Sequence, residues 1–577
     1  MENQRLFIWA LFGLMAFMTW TTWQQDYAPR PQPADPSSQQ AAERLPPDDT
    51  LSTDLPDVGD VPTVDSADGA TAPRPADSVA EPAETRVRVV TDVLDVLISS
   101  RGGDIVSAVT RRYPVEKDRP DQLVQVLNPS PNELAVFRTG LRTVSGDTNQ
   151  PEPNHRAEFT APRSEYRLGD GEDALEVPLT WDREDGLSVT KIYRFERGSY
   201  IIPMEQRVTN GTAETWAAAP YGQIAHRMHA QERSMFDVAT YSYDGPVLYN
   251  GDKYEKIKPD DLQDDGPVQA RAENGWLAAI EHHFLSAIVP PSGEQYRYDL
   301  SARGDNFLAS AIGPAYSFAP GETGSLELTL FVGPKIQDQL TQVAETLKLT
   351  VDYGFLTILS QPLFWLLDKV HDFVGNWGWS IIIVTLLIKL VFYKLTETSG
   401  RSMAKMRKLQ PRLKAIQERY KDDRQKLSQA MMELYKREKV NPAAGCLPIL
   451  VQMPFFLAFY WVLLESVEMR QAPFMLWIQD LSSRDPYFIL PILMGAAMFG
   501  QQKLNPAPPD PVQAKVMSIL PIVFTVFFAF FPAGLVLYWL TNTLLSIAQQ
   551  WQVNRVVEAE DRKTRQPKAK KKNDDEG

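Results

Sequence analysis

Five apolar runs crowd the last third of the chain: Ser380–Tyr393, Leu447–Val467, Tyr487–Gln501, Val516–Phe531 and Gly534–Trp551. Stretches this dense in large aliphatic and aromatic side chains belong in lipid. No water is present there to satisfy backbone polar groups, so only helices and closed barrels span. None of the five alternates with period two, so they read as helices. A sixth run, Leu6–Trp23, has spanning length and aromatics at its far end. The TTWQQDYAP that follows lacks the small-residue cleavage pattern, which favours a retained anchor over a cleaved signal peptide, with Arg5 inside. The expectation is six spans with both termini in the cytoplasm.

One charge sits inside these runs. Lys389 lies in SIIIVTLLIKLVFY, and a helix starting near Trp377 or Trp379 carries it roughly 15–18 Å from one interface, inside a hydrocarbon core about 30 Å thick. A lysine at a helix centre costs roughly 2.5–3.5 kcal/mol to insert, so such groups face a bundle interior or a wet cavity and mark a functional path. Thr385, one turn earlier, extends the polar face. The alternative is snorkelling, with the lysine stem reaching the cytoplasmic interface.

The net charge of -14 hides an asymmetry. Acidic residues dominate 24–335, whereas Lys and Arg dominate 394–439 and the tail beyond Arg555. A Lys/Arg excess marks cytoplasmic loops. The single cysteine, Cys446, excludes an internal disulfide, so an exported domain depends on its own core. Residues 24–85, rich in Pro, Ala, Ser and acids, cannot bury enough surface to offset ordering entropy and read as a flexible acidic linker; an acidic docking tail is the other reading.

From 86 to 335 the pattern changes to short alternating segments. Leu187, Val189, Tyr193 and Phe195 share a strand face after the Asp185-Gly186 turn, Asn210-Gly211 marks another turn, and Leu326, Leu328, Leu330 and Val332 alternate again. This predicts a β-sandwich. His226 and His229, three apart, and the adjacent His282 and His283 beside Glu281 raise the question of a metal or acid–base site. Their spacing fits no zinc helix, and the chain has no G-x-S-x-G elbow or P-loop, so no enzyme, cofactor or metal is expected.

Residues 336–375 read as a short helix followed by an interfacial amphipathic one over Pro362–Val374, with Phe364, Leu367, Val370 and Val374 opposite Asp368, Lys369 and Asp372. The second span covers 376–396. The insertion 397–446 reads as a helical hairpin, Met403–Tyr420 and Arg424–Val440, turning at Lys421-Asp422-Asp423. Its basic residues Arg407, Lys408, Arg412, Lys414 and Arg419 suit anionic lipid, a ribosome or a nascent chain, although positive-inside bias alone produces the same excess. Spans three to six occupy 447–552, followed by a basic cytoplasmic tail, 553–577. Pro448, Pro454, Pro491 and Pro521 interrupt them. Gln452, Gln502 and Thr541 add polarity, and Asn542, Ser546 and Gln549 follow an i, i+4, i+7 spacing that gives the last span a hydrophilic face. Helix–helix hydrogen bonding explains these residues singly; a wet cavity shared with Lys389 explains them together.

The runs VNPAAGCLPILVQMPFFLAFYWVL (440–463), MRQAPFMLWIQDLSSRDPYFILPILMG (469–495) and FPAGLVLYWLTNTLLSIAQQ (531–550) closely resemble the YidC membrane-protein insertases. The likeness continues through SMAKMRKLQP (402–411), TVDYGFLTILSQPLF (350–364) and TDVLDVLISSRGGD (91–104). It implies a five-helix insertase core beside an N-terminal anchor in a bacterial inner membrane, with the large sandwich in the periplasm. It also implies a hydrophilic groove in the inner leaflet, closed to the periplasm, with Lys389 at its centre where many members carry arginine, and Thr385, Gln452, Trp539 and Asn542 nearby. Implied partners are nascent membrane proteins, the Sec translocon, the ribosome and the bilayer, with no small-molecule substrate. Lysine keeps the charge without the planar fork of arginine. Glu465, near the periplasmic end of the third span, has no role in this scheme. Two other classes are a secondary transporter, against which the absence of internal duplication stands, and a membrane-tethered periplasmic carbohydrate-binding protein, for which the sandwich offers only fold-level analogy.

Overall fold

A computed structural model describes residues 85–117, 119–144, 150–228, 242–420, 423–438, 447–504 and 511–565. The expected anchor (1–23), all but the last residue of the linker, the end of the tail, His229, Cys446 and the Lys421-Asp422 part of the hairpin turn lie outside the described residues.

Residues 86–334 build three sheets. The largest has eight strands with Thr323–Pro334 and Ile201–Asn210 paired at its middle. Its alternation is the one the sequence shows: along Leu187–Glu196 the residues Leu187, Val189, Tyr193 and Phe195 are buried and their neighbours are not. A six-stranded sheet centred on Asn306–Ile312 and Trp216–Arg227 packs against its inner face. The approach is close: a Cβ on Gly222 would stand 2.7 Å from Leu328 and 3.1 Å from Ile288. A third sheet of five strands, Arg86–Val90 among them, covers one side. The turn at Gly186 takes φ 99°, which favours glycine, and its backbone meets Gly211 so tightly that a Cβ at 211 would stand 2.5 Å from the Gly186 carbonyl.

Strand Leu187–Glu196 also turns Lys191 inward, fully buried. Its ammonium donates to the Gly102 carbonyl (2.5 Å), the Thr139 carbonyl (2.9 Å) and hydroxyl (2.8 Å), and faces Asp104 at 3.4 Å. Asp104 in turn accepts from the Thr139 N–H at 2.8 Å. A buried charge is tolerated when its donors are used up in this way, and here it ties a strand of the eight-stranded sheet to one of the six-stranded sheet and to the turn joining two strands of the five-stranded sheet.

Ten helices are described. α1 (Pro259–Asp264) lies in the sandwich and α2 (Gln337–Val343) leaves it. α3 (Thr357–Val374) is amphipathic: Leu363, Phe364 and Leu367 are buried, whereas Ile358, Trp365 and Phe373 are exposed. It ends at Gly375, whose φ of 69° caps it. α4 (Trp377–Val391) starts at Asn376, which caps the Trp379 N–H and donates to the Pro473 and Phe474 carbonyls. α5 (Tyr393–Arg419) and α6 (Arg424–Arg437) form a hairpin around Leu409, Leu413 and Leu434. α7 (Leu447–Glu465), α8 (Ile489–Leu504), α9 (Pro511–Phe528) and α10 (Ala533–Arg565) complete the bundle, with α10 packed against α4, α5, α7 and α8.

Among the described residues no single helix is long and apolar enough to cross a membrane; the pair α4 and α5 passes that test only together, bent by 69°. The run expected to reach Tyr393 breaks at Phe392, and the run expected to end at Trp551 continues as polar helix to Arg565. The interruptions also differ in kind: Pro448 and Pro491 fall in first turns, where a missing N–H costs little, while Pro454 and Pro521 lie in helix interiors.

The sandwich is bolted to the bundle. Arg470, past the end of α7, donates to the Pro114 and Val115 carbonyls and lies 5.4 Å from the Phe284 ring. Gln471 donates to Pro114 at 2.8 Å, and Lys117 reaches the Gln479 carbonyl. The stacked rings of His282 and His283 lie 3.8 Å apart against the end of α7, with His283 Nε2 3.3 Å from the Leu464 carbonyl.

Candidate functional site

The break at Phe392 shapes the polar site. The backbone ladder carries through the bend, the Phe392 N–H donating to the Ile388 carbonyl and the Thr396 N–H to the Phe392 carbonyl, and side chains of α5, α7 and α10 add a second set of hydrogen bonds around it. Thr396 donates to the Phe392 carbonyl (3.1 Å) and accepts from Gln452 of α7 (3.1 Å), while Gln549 of α10 donates to the Tyr393 carbonyl (3.3 Å). Four helical segments therefore meet at one polar joint.

One turn before the break stands Lys389. Its ammonium donates to the Ser546 hydroxyl at 2.8 Å, and that hydroxyl donates back to the Asn542 carbonyl of its own helix at 2.7 Å. Lys389 is half-buried and has no carboxylate within ion-pair reach among the described residues. An ammonium carries three donors, and a cation in low dielectric without a counter-ion is the costly arrangement that burial normally removes.

The residues singled out from sequence divide into three settings. Lys389, Ser546 and Asn542 are brought together, and Gln452 and Gln549 join them through the break. Thr385 is buried and donates to the Ile381 carbonyl of its own helix at 2.6 Å. Trp539 belongs to an aromatic group with Phe456 (4.5 Å between ring centroids), Phe528 (4.7 Å) and Phe524 (6.2 Å). Along α10 the spacing 539, 542, 546, 549 keeps these side chains on one face, so the aromatic group caps one end of the polar stripe. Thr396 and the bend it closes were not anticipated; no proline or glycine marks that break in the sequence.

On the hairpin, Arg407, Lys408, Arg412, Lys414 and Arg419 are all exposed. Arg412 pairs with Glu438 at 2.7 Å. The base of α5 is held by Arg401, which bridges Glu397 (3.1 Å) and Glu560 (3.0 Å), and by Ala404 against Val553 and Val557 of α10.

Of the histidines singled out from sequence, His226, His282 and His283 lie among the described residues. His226 stacks on Phe307 and faces Glu281 at 3.5 Å; His282 and His283 sit in the seam. Burial, with help from Lys335, holds His282 down to about 4, so it is neutral there. Among the described residues no group of three or more His, Cys, Asp or Glu is placed to hold a metal ion.

Residues 86–366 match the family model described as YidC periplasmic domain, and residues 369–561 match the one described as 60Kd inner membrane protein. The chain is 48% identical over 564 residues to the membrane protein insertase YidC of Nitrosococcus oceani, covering 97% of this chain and 100% of that one. It is 48% identical over 568 residues to the membrane protein insertase YidC of Thioalkalivibrio sulfidiphilus, covering 97% and 99%. Among solved structures it is similar to an active YidC insertase with its first transmembrane domain resolved, at 19% identity and a TM-score of 0.37 over 81% of this chain and 92% of that one.

Proposed function

The chain belongs to the YidC family of membrane protein insertases, and we propose that it inserts nascent proteins into the bacterial inner membrane through the polar stripe centred on Lys389. The observation that carries this reading is the half-buried ammonium of Lys389, hydrogen-bonded to Ser546 with no counter-ion among the described residues. A short hydrophilic, often acidic, segment of the client supplies the missing negative charge, and water in the stripe lowers its desolvation cost. Gln452, Asn542, Thr385 and Trp539 line or cap this groove.

The hairpin, with Arg407, Lys408, Arg412 and Lys414 exposed, meets the client or the ribosome first. The client's apolar segment leaves along α7 and α9; Val516, Ile522, Val523 and Val526 of α9 are more than half exposed, as a lipid- or client-facing surface requires. No chemical energy source enters. The membrane potential and a locally thinned barrier help the segment cross. The topology in this scheme is six spans, counting Leu6–Trp23, with the hairpin and both termini cytoplasmic and the sandwich periplasmic, as the Lys/Arg asymmetry supports. The Sec translocon is the expected partner for clients with large exported domains.

The test is site-specific photo-crosslinking in the full chain, with the probe placed at Asn542 or at Ser546 and a ribosome-stalled client presenting an acidic N-terminal tail. Crosslinks to the tail are expected from both positions. Client crosslinks that avoid both positions while insertion proceeds would sink the groove reading.

A further inference from the structure

At the seam between sandwich and bundle lies a partly open cavity of about 110 Å³. One water needs roughly 10–15 Å³ on the same measure, so the space accepts a small polar group. Its two walls differ in character. The sandwich side brings Lys335, 3% exposed, and Tyr254, whose buried hydroxyl has no hydrogen-bond partner. The α7 side brings Glu465, 5% exposed, and Trp461, four residues earlier and so on the same helix face.

Lys335 donates to the His282 carbonyl at 2.8 Å, and Glu465 accepts from Ser242 at 2.7 Å, yet among the described residues the two charges do not reach one another as an ion pair. Lys256 and Asp352 form a more exposed pair that also lines the cavity. Two lysines and two carboxylates cancel, so neither a simple anion nor a simple cation finds a net field here. A ligand carrying both charges a few bonds apart does. The lining residue Gly354 leads directly into Phe355 and Ile358, 67% and 85% exposed, at the start of the amphipathic α3. Apolar chains attached to such a ligand would have a surface to follow.

We propose that this cavity binds the zwitterionic phosphoethanolamine headgroup of a phospholipid, with the phosphate toward Lys335 and Tyr254 and the ammonium between Glu465 and the Trp461 ring. Tyr254 then gains the acceptor its hydroxyl lacks, and the ammonium meets both a carboxylate and an aromatic face. Glu465 and Lys335 become two halves of one recognition element that spans the sandwich and the bundle. The inference rests on the proposed topology, which puts the seam at the membrane surface, and its test is a binding measurement independent of insertion activity.

The experiment uses the full chain in detergent, titrated with phosphatidylethanolamine or phosphatidylglycerol of identical acyl chains, or with soluble phosphoethanolamine, and read by native mass spectrometry and thermal melting. Expected for the unaltered chain is phosphatidylethanolamine binding roughly 10-fold tighter than phosphatidylglycerol, as a charge-assisted hydrogen bond supplies. Tyr254→Phe removes an unpartnered hydroxyl, so the lipid-free melting temperature holds while phosphatidylethanolamine affinity falls about 5-fold. Glu465→Gln abolishes the preference between the two lipids. Equal binding of the two lipids by the unaltered chain, or a preference untouched by both substitutions, overturns the site. Soluble phosphoethanolamine binding as tightly as the lipid overturns the lipid as its source.

Discussion

Replacing Lys389 separates an electrostatic role from a structural one, and the structure allows the size of the effect to be worked out. Lys389→Ala strands nothing: Ser546 keeps its bond to the Asn542 carbonyl, and removing a charge from the bilayer relieves an insertion cost of roughly 2.5–3.5 kcal/mol. Abundance and melting should therefore hold. A client carboxylate about 4 Å from the ammonium gains roughly 4 kcal/mol at an effective dielectric of 20, against about 1 kcal/mol in water. Releasing Lys389 from Ser546 costs about 1 kcal/mol. About 2 kcal/mol remains, or roughly 30-fold in rate. Lys389→Ala should slow translocation of acidic tails by about that factor and spare neutral ones. Lys389→Glu should be worse, because the sign reverses, and Lys389→Arg should be tolerated. The assay is translocation into proteoliposomes at equal insertase content, with client tails graded in charge. A defect of equal size for acidic, neutral and basic tails would refute the electrostatic argument.

Three further outcomes are expected. Charge reversal of Arg407, Lys408, Arg412 and Lys414 to Glu should weaken nascent-chain and ribosome crosslinking while the hairpin stays helical, since its core is apolar and the exposed Arg412–Glu438 pair is worth at most about 1 kcal/mol; unchanged crosslinking would leave the basic face as a topology signal only. The seam should loosen in acid. Burial depresses His282 to about 4 and His283 well below its ordinary value, against about 6.5 in an unfolded chain. The stability they contribute is complete above pH 6.5 and is lost as pH falls toward 4, by roughly 3 kcal/mol from His282 alone and more with His283. Protection of residues 464–470 against hydrogen exchange, corrected for the intrinsic pH dependence of amide exchange, should fall between pH 7 and pH 5 and stay level in His282→Asn/His283→Asn; equal pH dependence in both would disprove it. Lys191→Met should destabilise the sandwich by about 3–5 kcal/mol in urea unfolding by leaving Asp104 buried and unpaired, with Asp104→Asn restoring part of the loss; a loss under about 1 kcal/mol would mean the pair is dispensable.

These expectations draw unequally on sequence and structure, and the difference is physical. Strand alternation reports which face is buried, so the sandwich was legible in Leu187, Val189, Tyr193 and Phe195, but a lysine in the same register, Lys191, went unremarked because a charged side chain carries no burial signal of its own. What alternation cannot report is the partner, because Gly102, Asp104 and Thr139 lie 52 to 89 residues away. Glu465 was unaccountable for the same reason: its neighbours Ser242 and Lys335 belong to the sandwich, and only folding puts them at the end of α7. Helical spacing was equally informative for α10, where Asn542, Ser546 and Gln549 do share a face, but it was silent on the break at Phe392.

That break changes how the polar residues of the bundle are to be weighed. A hydrophilic face can exist because helices need hydrogen bonds to one another or because something polar must pass. Gln452 and Gln549 satisfy the first reason: one closes onto Thr396 and the other onto the Tyr393 carbonyl, so both have work in holding a bent helix together. Thr385 satisfies it too, turned onto its own backbone. Lys389 does not. A serine partner is neutral and already bonded to its own helix, so the positive charge of Lys389 is not balanced by the partner it has. Snorkelling would need that ammonium free to leave, whereas it is held across to α10 by a 2.8 Å bond. A fold that needed only a polar contact at this point could use an uncharged donor, at far lower cost in a bilayer. The charge is therefore the part of the stripe that packing does not explain, and the part a passing acidic segment would use.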